Sequence, residues 1–282
     1  MKQVDARVIS IEMVLPGLDH HHARVILGSY LMWLDSPEIA AGARPGQYVM
    51  VRCGADAALP RPFSIHRVVG GKLAILFAAY EGGRGTPWLA ARRAGDSLNV
   101  FGPLGNGFSL IPKTTNSMNS TNSTNSLLLV AGGIGVAPLC FLADEALKNR
   151  RVGGAKRNPP QTVTLLYGTA DKDRYADFPK GIEVVAATED GSVGHKGMIT
   201  EILADYATKA DQVFACGPPA MYRAMAKIPA LAGKPVQVSM EVGMGCGRGV
   251  CYGCTIKTRN GLKKVCQDGP VFELGDLMWD AR

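Results

Sequence analysis

Four cysteines near the C-terminus constrain the fold of this chain more than any other feature. Cys246, Cys251 and Cys254 stand in GMGCGRGVCYGC, and Cys266 follows in KKVCQDGP. The spacing C-x4-C-x2-C with one later cysteine is that of plant-type [2Fe–2S] ligation. Gly243, Gly245, Gly247, Gly249 and Gly253 let the backbone turn tightly and bring N–H groups near the sulfurs. Such a cluster moves one electron at a time, so the chain reads as a redox wire. A zinc ion also takes four thiolates, although zinc hooks usually come as two short C-x2-C pairs. Disulfides are a third reading, but Cys53, Cys140 and Cys216 are scattered and the total is an odd seven. Asp5, Glu12 and Asp19 interrupt the first twenty residues, so no secretory leader is expected and the expected location is cytoplasmic.

At 282 residues the chain is long enough for two domains and a small appendage. A hydrophobic share of 46% with 20% charged residues is that of a globular protein. The net charge of +7 raises nucleic acid as a partner, but the basic residues are dispersed. Their densest run (Lys148, Arg150, Arg151, Lys156, Arg157) falls in an expected loop, so a solvated surface is expected and no nucleic acid. Leu127–Ala143 carries no charge, yet it is shorter than a usual span and is broken by Gly132, Gly133, Gly135 and Pro138. A buried strand, turn and helix are expected there, and no membrane contact.

The hydrophobic pattern changes once along the chain. Apolar, β-branched runs at Val4–Met13, Ala23–Gly28, Gln47–Arg52, Phe63–Val69, Lys72–Ala79 and Ser97–Phe101 predict strands, with a helix over Thr86–Ala94. Short strands with one helix suggest an antiparallel barrel over residues 1–110. Residues 111–126 hold the polar, low-complexity KTTNSMNSTNSTNS and read as a surface loop, in which Asn119 and Asn122 head chance sequons. From Leu127 strands and helices alternate: Leu127–Val130, a helix from Pro138 to about Asn149, Thr162–Tyr167, Ile182–Thr188, a helix near Thr200–Ala207, Val213–Cys216, and a helix near Pro219–Ala226. That rhythm predicts a parallel α/β domain over 127–238, with the cysteine-rich subdomain at 239–282. The expected fold class is thus α+β multidomain. His20-His21-His22 could ligate a metal, but as a lone run before a strand it reads as a solvated turn.

Three motifs carry the remaining chemistry. In Arg61-Pro62-Phe63-Ser64 a guanidinium is suited to a phosphate and a hydroxyl to a ring nitrogen. About twenty residues on, Gly82-Gly83-Arg84-Gly85-Thr86-Pro87 forms a glycine-rich turn before a helix, and the two together describe a flavin site. Ala131-Gly132-Gly133-Ile134-Gly135-Val136-Ala137-Pro138 links a strand to a helix, where glycines permit close approach of a pyrophosphate. Cys216-Gly217-Pro218-Pro219 closes a later strand at the same crevice; Cys216 is either a nicotinamide contact or a small buried hydrophobe.

The order RPFS, GRGT, AGGIGVAP and CGPP resembles the ferredoxin–NADP reductase superfamily over nearly the whole chain. FGPLGNGF at Phe101–Phe108, Glu189-Asp190-Gly191-Ser192 with Gly194 and Gly197, and Cys266–Phe272 narrow it. With these the chain resembles the electron-transfer subunits of NAD-dependent (class 1B) dihydroorotate dehydrogenases. The resemblance implies an FAD barrel, an NAD domain and a [2Fe–2S] loop, working with a separate FMN-containing catalytic subunit, two of each in a heterotetramer. It implies that Arg61, Pro62, Phe63 and Ser64 hold the flavin, that Ala78, Ala79 and Tyr80 line it, and that Gly85 and Thr86 bind its pyrophosphate. It places no general acid or base on this chain. The insert at Lys113–Ser126 is foreign to the family pattern, as is a turn with Gly82-Gly83-Arg84 in place of a lysine-bearing one. NAD over NADP is expected, since Asp171 follows Thr169 and Ala170 after a strand and repels a 2′-phosphate. Two rivals stand beside this: a diaphorase-type subunit of a hydrogenase or ferredoxin–NADP oxidoreductase, and a zinc-binding interaction protein.

Overall fold

A computed structural model describes residues 1–21, 24–54, 59–110, 125–148, 160–173, 175 and 177–279. The first half builds β1 (Lys2–His21), β2 (Arg24–Asp35), β3 (Tyr48–Val51), β4 (Arg61–Val69), β5 (Lys72–Tyr80) and β6 (Ser97–Leu104), with short helices α1 (Pro37–Ala40) and α2 (Thr86–Ala90). The strands close a barrel in the order β1-β2-β5-β4-β3-β6, with antiparallel pairing throughout. β1 and β2 run further than their apolar runs predict and pair from Arg7–Asp35 to His21–Arg24. Helix α2 stops at Ala90, short of the predicted Ala94, because Asp96 accepts the Arg93 N–H and turns the chain into β6.

The second half adds β7 (Asn125–Gly132), α3 (Val136–Lys148), β8 (Pro160–Thr169), β9 (Glu183–Thr188), β10 (His195–Lys196), α4 (Leu203–Ala207), β11 (Gln212–Cys216), α5 (Pro219–Met225) and β12 (Val236–Ser239). The C-terminal stretch adds the hairpin β13 (Thr255–Thr258) and β14 (Gly261–Lys264), α6 (Val265–Asp268) and β15 (Val271–Glu273). The sheet order is β10-β9-β8-β7-β11-β12-β15, parallel except for β15, which runs antiparallel to β12. This edge pairing makes the sheet mixed, and it ties the cysteine-rich segment to the seven-stranded sheet as well as to the barrel. The low-complexity insert as far as residue 124, with its sequons, His22, and Arg150–Arg157 lie outside the described residues, while Asn125 and Ser126 open β7.

Burial explains why β5 reads as an unbroken apolar run. Leu73, Ile75 and Phe77 point into the barrel core, while Ala74 and Leu76 join the cluster built on α3 and β7. A strand covered on both faces has no polar side to alternate with, and each buried Leu or Phe contributes about 1.5–3 kcal/mol. The barrel and the sheet meet through β4 and α3. There His66 Nδ1 lies 3.0 Å from the Ala137 carbonyl, and Arg67 pairs with Asp144 at 3.4 Å and Asp177 at 2.7 Å. Asn106 ties the barrel to the C-terminal stretch: its amide donates to the Val271 carbonyl at 2.8 Å and accepts the Val271 N–H at 3.1 Å. None of the described helices is long and apolar enough to cross a membrane.

Candidate functional site

A groove of about 500 Å³ runs between the barrel, the β7–α3 turn and the segment that follows β12. Tyr48, Pro62, Phe63, Ser64, Ala78, Tyr80 and Thr86 line its barrel wall, and Ile134 and Ala137 form a second wall from the β7–α3 turn. The third wall is Ser239 to Met244, which leads directly into Cys246. Ser64 faces Tyr48 in the β3–β4 register, so the start of β4 delivers its hydroxyl to the groove. Ala79 alternates to the opposite side of β5 and is buried. Arg61 does not line the groove; its Nη1 donates to the Leu59 carbonyl at 2.9 Å, and its stem lies over Gly85. A Cβ on Gly85 would stand 3.1 Å from Arg61 Nε, so a larger residue there would press on the Arg61 side chain before α2.

At the C-terminal ends of β7 and β11 the two glycine-bearing turns pack on each other. A Cβ on Gly135 would run into the Cys216 carbonyl, and one on Gly132 would stand 2.7 Å from Pro218 Cδ. These glycines are demanded by turn-against-turn packing. Gly133 alone of the three has a positive φ, +53°, and open space beside it, and it is half-buried. The Gly217 turn is pinned by Tyr222, whose hydroxyl accepts the Gly217 N–H at 2.9 Å and donates to the Ser239 carbonyl at 2.6 Å. Gly135→Ala is expected to lower stability by about 1–3 kcal/mol through backbone overpacking. It should also raise the KM for NADH, because the crevice floor shifts; denaturant unfolding and steady-state kinetics check both.

Cys216 is fully buried behind the groove surface, and its thiol donates to Glu241 Oε1 at 3.5 Å. Burial, and next the Glu241 charge, push the thiol well above its usual range. Burial also raises the Glu241 carboxyl, with the Cys216 hydrogen bond pulling the other way. Glu241 is packed about by protein yet open to solvent through the groove, so it is a wall residue and not an interior one. No sequence motif announced Glu241 or Tyr48; the only signal was their position, just after β12 and at the start of β3 after a Pro45-Gly46 turn. On the outer lip, Asp171 accepts the Asp173 N–H at 2.8 Å and Asp190 accepts the Ser192 N–H at 2.9 Å. The ends of β8 and β9 thus present carboxylates where the NAD preference was expected.

The four cysteines of the C-terminal stretch are free thiols arranged as two pairs. Cys246 hydrogen-bonds with the Cys251 side chain, and Cys266 with that of Cys254. Burial pushes the Cys246 thiol up, but N–H donors from Arg248, Cys251 and Val250 with the Cys251 side chain bring it down to about 6. The Arg248 N–H lies 3.3 Å from the Cys246 sulfur, and the Cys266 N–H 3.4 Å from that of Cys254. Burial and then the Cys254 side chain raise Cys266 to about 11. Gly247 (φ +64°) allows the loop to lie on the barrel, since a Cβ there would stand 2.6 Å from Met50 Cγ. Among the described residues no three His, Cys, Asp or Glu side chains converge on one metal position. Two thiol pairs with N–H donors on their sulfurs fit the donor set that a two-iron cluster needs, two thiolates for each iron.

Residues 241–278 match the family described as the iron–sulfur cluster binding domain of dihydroorotate dehydrogenase B. The dihydroorotate dehydrogenase B (NAD(+)) electron transfer subunit of Desulforamulus reducens is 36% identical over 294 residues, which span 99% of each chain. The protein of the same name from Clostridium acetobutylicum is 36% identical over 83% of this chain and 86% of its own. Among solved structures, an NADH-dependent reduced ferredoxin–NADP oxidoreductase, studied for flavin-based electron bifurcation, superposes with a TM-score of 0.75 at 25% identity. That match covers 98% of this chain and 90% of that one. A ferredoxin–NADP+ reductase from Neisseria gonorrhoeae shares the fold, with a TM-score of 0.57 at 14% identity over 81% and 92% of the two chains.

Proposed function

This chain belongs to the family of electron-transfer subunits of NAD-dependent dihydroorotate dehydrogenase B, and on that premise we propose that it passes electrons from an FMN-containing catalytic partner to NAD⁺ through a [2Fe–2S] cluster and FAD of its own. When bound, the cluster relays electrons singly and the flavin gathers two for hydride transfer to the nicotinamide. The observation that carries the reading is the continuity of the groove. One wall is the RPFS strand, the second is the β7–α3 turn, and the third runs without a break into Cys246.

Within that reading each residue has a definite task. Phe63, Ser64, Ala78 and Tyr80 form the flavin wall and Thr86 takes its pyrophosphate side, which Arg61, outside the groove beside Gly85, reaches by releasing the Leu59 carbonyl. Gly133 meets the nicotinamide nucleotide, while Gly132, Gly135 and Gly217 hold the two turns together. Cys216 and Glu241 sit behind and beside the nicotinamide position, where an acidic group and a thiol orient the ring; neither is required as a general acid or base. Cys246 and Cys251 hold one iron, Cys254 and Cys266 the other. Asp171 and Asp190 disfavour a 2′-phosphate. The working units are residues 1–110, 127–238 and 239–282. The face bearing Cys251, with Val250 (72% exposed) and Tyr252 (65% exposed), meets the catalytic subunit in an assembly of two copies of each.

The test is co-purification with a dihydroorotate dehydrogenase catalytic subunit, followed by analysis of iron, sulfide and FAD and assay of dihydroorotate-dependent NAD⁺ reduction. A brown flavoprotein that restores this activity to the catalytic subunit is expected. A colourless chain with stoichiometric zinc, or one that oxidises NADH but never couples to dihydroorotate, sinks the proposal.

A further inference from the structure

Strand β3 separates the flavin groove from the cysteine loop, and its two faces serve different cores. Val49 and Val51 point into the barrel, while Tyr48 and Met50 point outward and pack with Leu104, Cys254, Val265 and Cys266. Tyr48 is only 3% exposed and lies directly opposite Ser64 in the β3–β4 register. Among the described residues it is the one barrel side chain that both lines the groove and belongs to the cluster containing Cys254 and Cys266. Its hydroxyl donates to the Cys266 carbonyl at 3.1 Å, across 218 residues of sequence. On the other side of the same residue, the Cys266 N–H points at the Cys254 sulfur. Cys266 is therefore held at both of its peptide groups, once by its partner thiol and once by the groove wall.

We propose that Tyr48 is a positioning residue for electron transfer, its ring and hydroxyl fixing Cys266 against the flavin groove so that the two redox sites keep one separation. The proposal rests on the functional reading above. It asks no covalent change of Tyr48: in turnover each electron that leaves the reduced cluster arrives on the oxidised flavin, mixing with NADH drives the same path in reverse, and the phenol keeps its proton. A buried side chain that fixes a ligand's backbone acts as an outer-shell partner, and loss of such partners typically costs about 10- to 100-fold.

The experiment uses the full chain with its cofactors, prepared as Tyr48→Phe and Tyr48→Leu beside the wild type. Anaerobic rapid mixing with NADH follows flavin reduction and cluster reduction as two phases in one trace. Electron paramagnetic resonance and a redox titration report on the cluster itself. In Tyr48→Leu the ratio of the cluster phase to the flavin phase is expected to fall roughly tenfold or more. In Tyr48→Phe, which keeps the ring, the resonance spectrum and the midpoint potential should move while iron content holds. If Tyr48→Leu does not fold, Tyr48→Phe alone decides. An unaltered phase ratio, spectrum and potential in the variants overturns the proposal. A wild-type chain lacking flavin or iron–sulfur absorbance overturns the functional reading instead.

Discussion

Cys251→Ala should purify with FAD but without iron–sulfur absorbance, and its dihydroorotate-dependent NAD⁺ reduction with the catalytic partner should fall more than the ~100-fold seen for outer-shell changes at metal sites. Cys251 is the exposed member of the Cys246 pair, so its loss leaves one iron with a single thiolate while the buried Cys254–Cys266 pair remains. The proposed flavin wall is made from β3, β4 and β5, and Cys251 is not among the residues that line the groove. NADH should therefore still reduce the flavin, as followed by its absorbance. Loss of that reaction in a folded variant would place the cluster between nicotinamide and flavin, contrary to the order proposed here. Full coupling with the partner in the absence of iron would remove the cluster from the path altogether.

Acid should weaken the seam between barrel and sheet through one residue. His66 is 0% exposed; its Nδ1–H donates to the Ala137 carbonyl at 3.0 Å, so its Nε2 accepts the Tyr175 hydroxyl at 2.9 Å. Burial first, and then the adjacent Arg67 charge, lower its pKa to about 4, against smaller opposing effects of the Ala137 bond and Asp177. The folded form thus binds its proton less readily than the unfolded chain, whose histidine titrates at the ordinary value near 6.5. Where the unfolded state holds more protons, stability rises with pH. The contribution is complete above about pH 6.5, is lost as pH falls towards 4, and is level below that. It amounts to about 3 kcal/mol between pH 7 and pH 4. Denaturant unfolding of wild type and His66→Gln at those two values checks it: the gap between the proteins should change by roughly that amount. An identical acid dependence in the variant would mean that His66 takes up its proton without unfolding.

The mixed legibility of this chain has physical causes. β4 and β5 were readable because local chemistry specifies them: β-branched and aromatic runs bounded by Gly70-Gly71 leave no other element to form. The turn after β7 was readable for the same reason, and the structure adds that Gly132 and Gly135 are packed against the Cys216 turn. Strand β15 was not foreseen, since Val271–Glu273 is too short to show a period and becomes a strand only by pairing with β12. Helix α1, four residues long, was missed in the same way. His66 was read only as part of a strand, because its partners Ala137 and Tyr175 lie 71 and 109 residues away.

The sequence by itself determined the chemistry: a thiolate spacing, a strand entry bearing Arg61 and Ser64, and glycines where turns must be tight are all local, within a few residues. Only the tertiary structure decided how these pieces face one another. It sorted the four cysteines into two pairs, set Glu241 in the wall in front of Cys216, and laid Tyr48 between the flavin groove and Cys266. Such relations depend on which strands pair and which faces bury, and chain closure over more than two hundred residues leaves no periodic trace in the sequence.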